Sequence, residues 1–200
     1  MSTLSNSVEI VFTSDGVLAQ ATPHFKPRSG QTEMALAVSE TIYNGGELVV
    51  EAGTGVGKTY AYLLPCLRQW KFNKALTPQI MIIVPTRELV VQVVEETEKL
   101  TKYMDVSTIG AYGGTNIKTQ MNALHQGADV VVGTPGRLMD LMLNGILKIK
   151  LIKTLIIDEV DEMLNLGFRT QLKNLMDLLP EKRQNLMFSA TFSDPIRKLA

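Results

Sequence analysis

One short stretch limits what this chain can become: Leu48-Val49-Val50-Glu51-Ala52-Gly53-Thr54-Gly55-Val56-Gly57-Lys58-Thr59. An apolar β-type run enters a turn with glycines at alternate positions, and Lys58-Thr59 then opens a helical stretch. That is the context a phosphate-binding loop requires. Glycines let backbone N–H groups curl around phosphates, and the helix N-terminus adds partial positive charge. Lys58 can reach the β- and γ-phosphates, and the Thr59 hydroxyl can ligate Mg²⁺. Against the pattern G-x-x-x-x-G-K-[ST] there is one departure, Ala52 at the first glycine position. The rival reading, a strand–helix turn that binds nothing, would leave the register of strand, glycines and Lys-Thr to coincidence. A nucleoside triphosphate site is therefore expected over Ala52, Gly53, Thr54, Gly55, Val56, Gly57, Lys58 and Thr59.

A second stretch complements the first. In Ile156-Ile157-Asp158-Glu159-Val160-Asp161, two apolar residues bury a strand and two adjacent carboxylates emerge at its carboxyl end. Asp158 is placed to hold Mg²⁺, and Glu159 to orient or deprotonate an attacking water. Carboxylates also favour the first turn of any helix, so taken alone this stretch is ambiguous. Together with Lys58-Thr59 it is not, because phosphoryl transfer needs both a phosphate cradle and a metal carboxylate.

The rest of the chain alternates strand-like and helix-like runs. Strands are read at 79–84, 106–111, 129–132, 154–157 and 185–188, and the apolar runs at 79–84 and 154–157 have the character of buried strands, the first covered on both faces. Helical spacing is read at 32–43, 58–70, 87–103, 116–125, 137–143, 161–164 and 168–179, and from Asp194 as N-cap toward Ala200. Asn44-Gly45-Gly46 ends the first of these helices. Upstream, residues 1–7 are expected to fray, Val8 to Phe12 to form a short strand, and Thr13 to Gly16 a turn. The fold class is thus α/β, a mostly parallel sheet with helices on both faces and ligands at the carboxyl ends of the strands. One domain over 25–200 behind an N-terminal extension at 1–24 is the expected organisation. The chain stops inside an apparent helix, which reads as a piece of something longer.

Three further strand ends carry polar clusters: Pro85-Thr86-Arg87-Glu88-Leu89, Thr134-Pro135-Gly136-Arg137-Leu138 and Ser189-Ala190-Thr191. Gly113-Gly114 follows a fourth strand. Helix N-termini, Thr hydroxyls and Arg side chains suit phosphodiester contacts, which track a backbone and read no base sequence. Taken singly, each cluster reads better as an N-cap and turn than as a binding site. Composition does not announce nucleic acid either: twenty basic and twenty acidic residues cancel, so any such contact needs a local patch. The single cysteine, Cys66, excludes an internal disulfide and a four-cysteine cluster, and is expected to be buried. With no signal-peptide pattern and no apolar run of membrane length, a reducing, cytoplasmic setting without a membrane partner is expected.

In number, order and spacing, P-T-R-E-L at 85–89, G-G at 113–114, T-P-G-R-L at 134–138, D-E-V-D at 158–161 and S-A-T at 189–191 resemble the first RecA-like domain of DEAD-box ATP-dependent RNA helicases. Val160 departs from the alanine of the family name. The earlier part, Phe25 to Met34 and Val49 to Gly55, instead resembles DinG-type iron–sulfur DNA helicases, whose four cluster cysteines this chain lacks. The two resemblances together describe a composite with a seam near Leu64 to Lys74. Ala52 is what both families show at that position.

The DEAD-box resemblance implies a RecA-like P-loop NTPase domain, ATP with Mg²⁺ as substrate and cofactor, and Lys58, Asp158 and Glu159 as the catalytic set. It further implies adenine recognition by Gln31 supported by Arg28, with Thr59 and Asp158 holding the metal. Single-stranded or duplex RNA would be gripped by its backbone at Pro85, Thr86, Arg87, Gly113, Gly114, Thr134, Pro135, Gly136 and Arg137. Asp161, Ser189 and Thr191 would couple the two sites, and a second RecA-like domain would be the partner that completes the enzyme. The isolated 200 residues are accordingly expected to bind nucleotide weakly and hydrolyse it slowly. A DNA helicase fragment and a non-catalytic ATP-dependent RNA clamp are the alternatives.

Overall fold

The central strands are short and almost wholly apolar, which forces them into the middle of the molecule. The computed structural model describes residues 3–21, 25–53, 57–75, 77–191, 193–197 and 199. Six strands form one parallel sheet: β1 (Glu47–Glu51), β2 (Ile80–Ile83), β3 (Thr108–Ala111), β4 (Val130–Gly133), β5 (Thr154–Ile157) and β6 (Gln184–Ser189), in the order β1-β6-β5-β2-β4-β3. Side chains alternate between two cores. Ile80, Ile82, Val130, Val132, Ile156, Leu186 and Phe188 face one, while Met81, Ile83, Val131, Leu155, Ile157 and Met187 face the other. Because both faces are covered, a two-residue period persists without polar residues marking it.

One core is closed by α3 (Ser29–Asn44), α4 (Lys58–Gln69) and α5 (Arg87–Leu100), through Met34, Val38, Tyr62, Leu63, Val90 and Val93. The other is closed by α7 (Pro135–Leu143), α8 (Val160–Asn165) and α9 (Arg169–Leu178), through Leu138, Leu141, Met163, Leu172 and Leu175. Burying each such side chain stabilises the fold by about 1.5–3 kcal/mol. The remaining helices are α6 (Ile117–Gln126) and α10 (Asp194–Arg197).

The amino-terminal expectation is corrected. Residues 8–12 are not a strand: α1 spans Thr3–Val11, and α2 follows at Val17–Ala21. Leu4, Val8 and Phe12, four residues apart, are all buried in the same core as α3 and α4, whereas Ile10 is 63% exposed. The helical repeat prevails because one stripe covers α3 and α4, whereas a strand there would turn Ile10 inward beside Val8 and Phe12. For the same reason residues 4–7 are not frayed, and Ser5 is fully buried.

Elsewhere differences are small. α3 begins at Ser29 rather than 32, so it includes Gln31. It ends at Gly45, whose φ of 77° suits the glycine expected there. Asp194 is the first residue of α10 rather than its cap, since the Ile196 and Arg197 N–H groups donate to the Ser193 carbonyl. Cys66 is buried, and burial pushes its thiol up to about 12.

Candidate functional site

The strand order divides the carboxyl edge of the sheet into two halves. β1, β6 and β5 are neighbours at one end, and β2, β4 and β3 at the other. Apart from Arg28 and Gln31 at the start of α3, the motifs singled out in the sequence sit at these strand ends or on the helices that follow them.

In the first half, β1 leads to Ala52 and Gly53, and the Ala52 N–H donates to the Ser189 carbonyl at 2.8 Å, extending the β1–β6 ladder. Thr54, Gly55 and Val56 lie outside the described residues. Gly57, at φ 79° and ψ 40°, is the left-handed residue that opens α4, and Lys58 and Thr59 are the first residues of that helix. The left-handed turn needs a residue without Cβ, which accounts for the third glycine of the loop. Gln31, from α3, is 4% exposed, and its Nε2 donates to the Gly57 carbonyl at 2.9 Å. It is thus a buried partner of the loop rather than a solvated residue at a helix start. Arg28, the N-cap of α3, is exposed and makes no side-chain cap.

Two strands away, β5 delivers Asp158, which is 7% exposed. Its Oδ1 lies 3.5 Å from Lys58 Nζ and accepts the Glu159 N–H at 2.9 Å. Burial raises the Asp158 pKa above the usual carboxylate range, and the neighbouring Lys58 ammonium only partly opposes it. Glu159 is half-buried, and its pKa is raised by burial first and then by the Asp158 carboxylate. At φ 55° it is the one non-glycine residue with positive φ among the described residues. That conformation costs on the order of 1 kcal/mol and is the kind of backbone strain that gathers at functional sites.

A third carboxylate, Asp161, joins β5 to β6. Its N–H donates to Ser189 Oγ at 3.3 Å, and its Oδ2 accepts the Thr191 hydroxyl at 3.3 Å. The Thr191 N–H also donates to Ser189 Oγ, at 3.4 Å. Val160, at the departure from alanine, is fully buried, so the extra methyl groups are absorbed in the core while the three carboxylates stay at the strand end.

In the second half, Thr86 caps α5 by accepting the Leu89 N–H at 3.3 Å, and Pro85 is buried beneath it. Arg87 is exposed, with its guanidinium 5.1 Å from the centre of the Tyr112 ring. Gly113 and Gly114 are exposed on the loop after β3, Gly114 at φ 78°. Thr134 precedes Pro135, Gly136 and Arg137, the first residues of α7, and it makes no side-chain cap, so its hydroxyl is not spent on the helix. Arg137 Nη1 donates to Gln120 Oε1 at 2.9 Å and Nη2 to the Thr115 carbonyl at 3.4 Å. The three clusters therefore lie side by side on neighbouring strands, far apart in sequence.

Comparison with known proteins agrees with this arrangement. The sequence profile of the DEAD/DEAH box helicases matches residues 32–199. The chain belongs to that family. The matched range takes in residues 49–55 and 64–74 as well, and nothing in it favours the DinG-type reading. The DEAD-box ATP-dependent RNA helicase CshA of Streptococcus pneumoniae is 42% identical over 175 residues, 86% of this chain and 33% of that protein. The yeast DEAD-box splicing factor Prp28 superposes with a TM-score of 0.71 at 36% identity, over 77% of this chain and 39% of the other. A hypothetical ATP-dependent RNA helicase from Sulfolobus tokodaii gives a TM-score of 0.76 at 30% identity, over all of this chain and 54% of the other. The chain thus spans about a third of the length of the curated relatives it matches.

Three side chains at this helicase-family site escaped the sequence reading. Tyr62 is fully buried with its hydroxyl facing Thr59 and Asp158, just short of good hydrogen-bond geometry, and burial followed by that carboxylate raises its pKa well above the usual value. Tyr112 supports Arg87, and Gln120 receives Arg137. Gln120 had a signal: it is a polar residue on the apolar stripe Ile117, Met121, Leu124 of α6. Tyr62 had none, since a tyrosine on a buried helix face looks like any other core aromatic.

Proposed function

We propose that this chain is the ATP-binding core of an ATP-dependent RNA helicase. The observation that carries this reading is the meeting of Lys58 and Asp158, 100 residues apart in sequence, at 3.5 Å with both side chains nearly buried. ATP would lie on residues 52–59, with Lys58 on its terminal phosphates and Gln31, supported by Arg28, at the adenine.

The residues present fit Mg²⁺. Asp158 is a buried carboxylate that one ammonium leaves incompletely compensated, and Thr59 supplies a second hard oxygen nearby. Among the described residues no group of three metal-ligating side chains exists, which suits an ion that takes much of its shell from phosphates and water. When bound, Mg²⁺ neutralises charge that develops on the transferring phosphoryl group. Glu159, with its raised pKa, is suited to accept a proton from the attacking water.

RNA would cross the β2, β4 and β3 ends, where Thr86, Arg87, Gly113, Gly114, Thr134 and Arg137 offer N–H, hydroxyl and guanidinium donors to its backbone. The Asp161–Ser189–Thr191 bonds tie the ends of β5 and β6 together and supply a route for coupling nucleotide state to RNA grip. A second RecA-like domain would close over this edge, and the protein would act in the cytoplasm.

The test is Glu159→Gln in the chain joined to a second RecA-like domain. Nucleotide affinity should stay within about two-fold, while RNA-stimulated ATP hydrolysis should fall by 10²-fold or more, on the order expected for loss of a general base. Unchanged turnover would remove Glu159 from the mechanism. Comparing RNA with DNA as stimulating strand checks the substrate class.

A further inference from the structure

Gln120 is the most completely used polar side chain outside the nucleotide half. It is 7% exposed, on the face of α6 that also carries the partly buried Ile117, Met121 and Leu124. Its Nε2 donates to the Tyr112 carbonyl at 3.0 Å and to Thr115 Oγ1 at 2.8 Å, and its Oε1 accepts Arg137 Nη1 at 2.9 Å. Arg137 Nη2 adds the bond to the Thr115 carbonyl. Tyr112 in turn lies under the Arg87 guanidinium. Arg87, Tyr112, Gln120 and Arg137 therefore form a continuous chain of contacts linking the ends of β2, β3 and β4.

An apolar residue would fill this position on α6 without desolvating a carboxamide. What the carboxamide adds is geometry. Both Gly113 and Gly114 sit between its two anchor points, Tyr112 and Thr115, so the loop is pinned on either side of its flexible pair. Arg137 spends two of its five N–H donors on Gln120 and Thr115, which fixes the guanidinium plane and leaves the others for a ligand. RNA phosphates are held at set spacings by their own backbone, so donors on separate loops bind them well only if the loops keep a fixed separation.

We propose that Gln120 is a positioning residue for RNA: it locks Arg137 and the Gly113–Gly114 loop into one preorganised backbone-binding unit. This inference rests on the RNA-binding reading above. It predicts that Gln120 affects RNA and not nucleotide, although it need touch neither.

The experiment compares wild type, Gln120→Met and Gln120→Glu in the full chain. Gln120→Met keeps the unbranched stem and loses all three bonds. Gln120→Glu keeps an acceptor for Arg137 and loses the donors to the loop. Binding of fluorescein-labelled oligouridylate should weaken by about ten-fold in Gln120→Met, the scale of one hydrogen bond to a charged group, while labelled ADP binds as in wild type. Hydrogen exchange should quicken at both 112–115 and 134–137 in Gln120→Met, but only at 112–115 in Gln120→Glu. Equal RNA affinity in Gln120→Met and wild type would overturn the inference, as would parallel losses of RNA and ADP affinity, which mark general damage. A wild type that binds no oligouridylate would overturn the RNA reading itself, and this inference with it.

Discussion

Removing Lys58 isolates a buried charge, and the consequence is a stability change that depends on pH. Lys58 and Asp158 lie 3.5 Å apart with side chains 10% and 9% exposed. At an effective dielectric constant of about 20, that separation gives an attraction of about 5 kcal/mol. Lys58→Met keeps most of the aliphatic stem and also regains the cost of desolvating the ammonium, so a net loss of about 3 kcal/mol is expected at neutral pH. In the wild type, Asp158 already titrates above its usual range, so the folded form holds that proton more tightly than the unfolded chain does. Such a group favours folding when protonated, and the contribution is lost as pH rises through its folded pKa. Lys58→Met lifts that folded pKa further. The penalty should therefore shrink as pH falls from the variant value toward the wild-type value. Urea unfolding of the ligand-free protein at about pH 7.5 and about pH 5, well above the unfolded carboxylate pKa, measures both ends. A penalty equal at the two pH values, or a more stable variant at neutral pH, would refute the assignment of a charged buried Asp158 held by Lys58.

Two further outcomes follow from the nucleotide half. Tyr62→Phe removes a buried hydroxyl that only loosely meets Thr59 and Asp158 while keeping the ring 5.1 Å from Phe188, so stability should change by no more than about 1 kcal/mol in urea unfolding; a larger loss would show that the hydroxyl holds Asp158 in place. Gly57→Ala forces a Cβ into a left-handed position directly against the Gln31 carboxamide. It should cost about 1–2 kcal/mol and weaken labelled-ADP binding, and unchanged binding would mean that the loop does not need this turn.

The DEAD-box motifs and most strands were legible in the sequence because each depends on local chemistry. Glycines at alternate positions before Lys58-Thr59 mark a turn into a helix from local chemistry alone, and short β-branched runs such as 80–83 and 154–157 have only a doubly covered sheet in which to hide. The amino terminus was misread because Val8 to Phe12 satisfies a strand pattern over five residues. The competing repeat of Leu4, Val8 and Phe12 is longer than that window and matters only where α3 and α4 wait to be covered. Gln31 was placed at the nucleotide, but its burial and its bond to Gly57 depend on α3 beginning at Ser29.

What the sequence by itself determined is the inventory: a glycine-rich Lys-Thr loop, a carboxylate strand end, three polar strand ends and a Gly-Gly strand end, each written in contiguous residues. What only the tertiary structure decided is their neighbours. The order β1-β6-β5-β2-β4-β3 puts residues 58 and 158 in contact and sets the 86–87, 113–114 and 134–137 clusters beside one another. Strand order is a matter of which crossovers bury the most surface, and no local pattern encodes it. The roles of Gln120, Tyr112 and Tyr62 arise there too, since a side chain's hydrogen-bond partners are chosen by packing across strands and not by its neighbours in the chain.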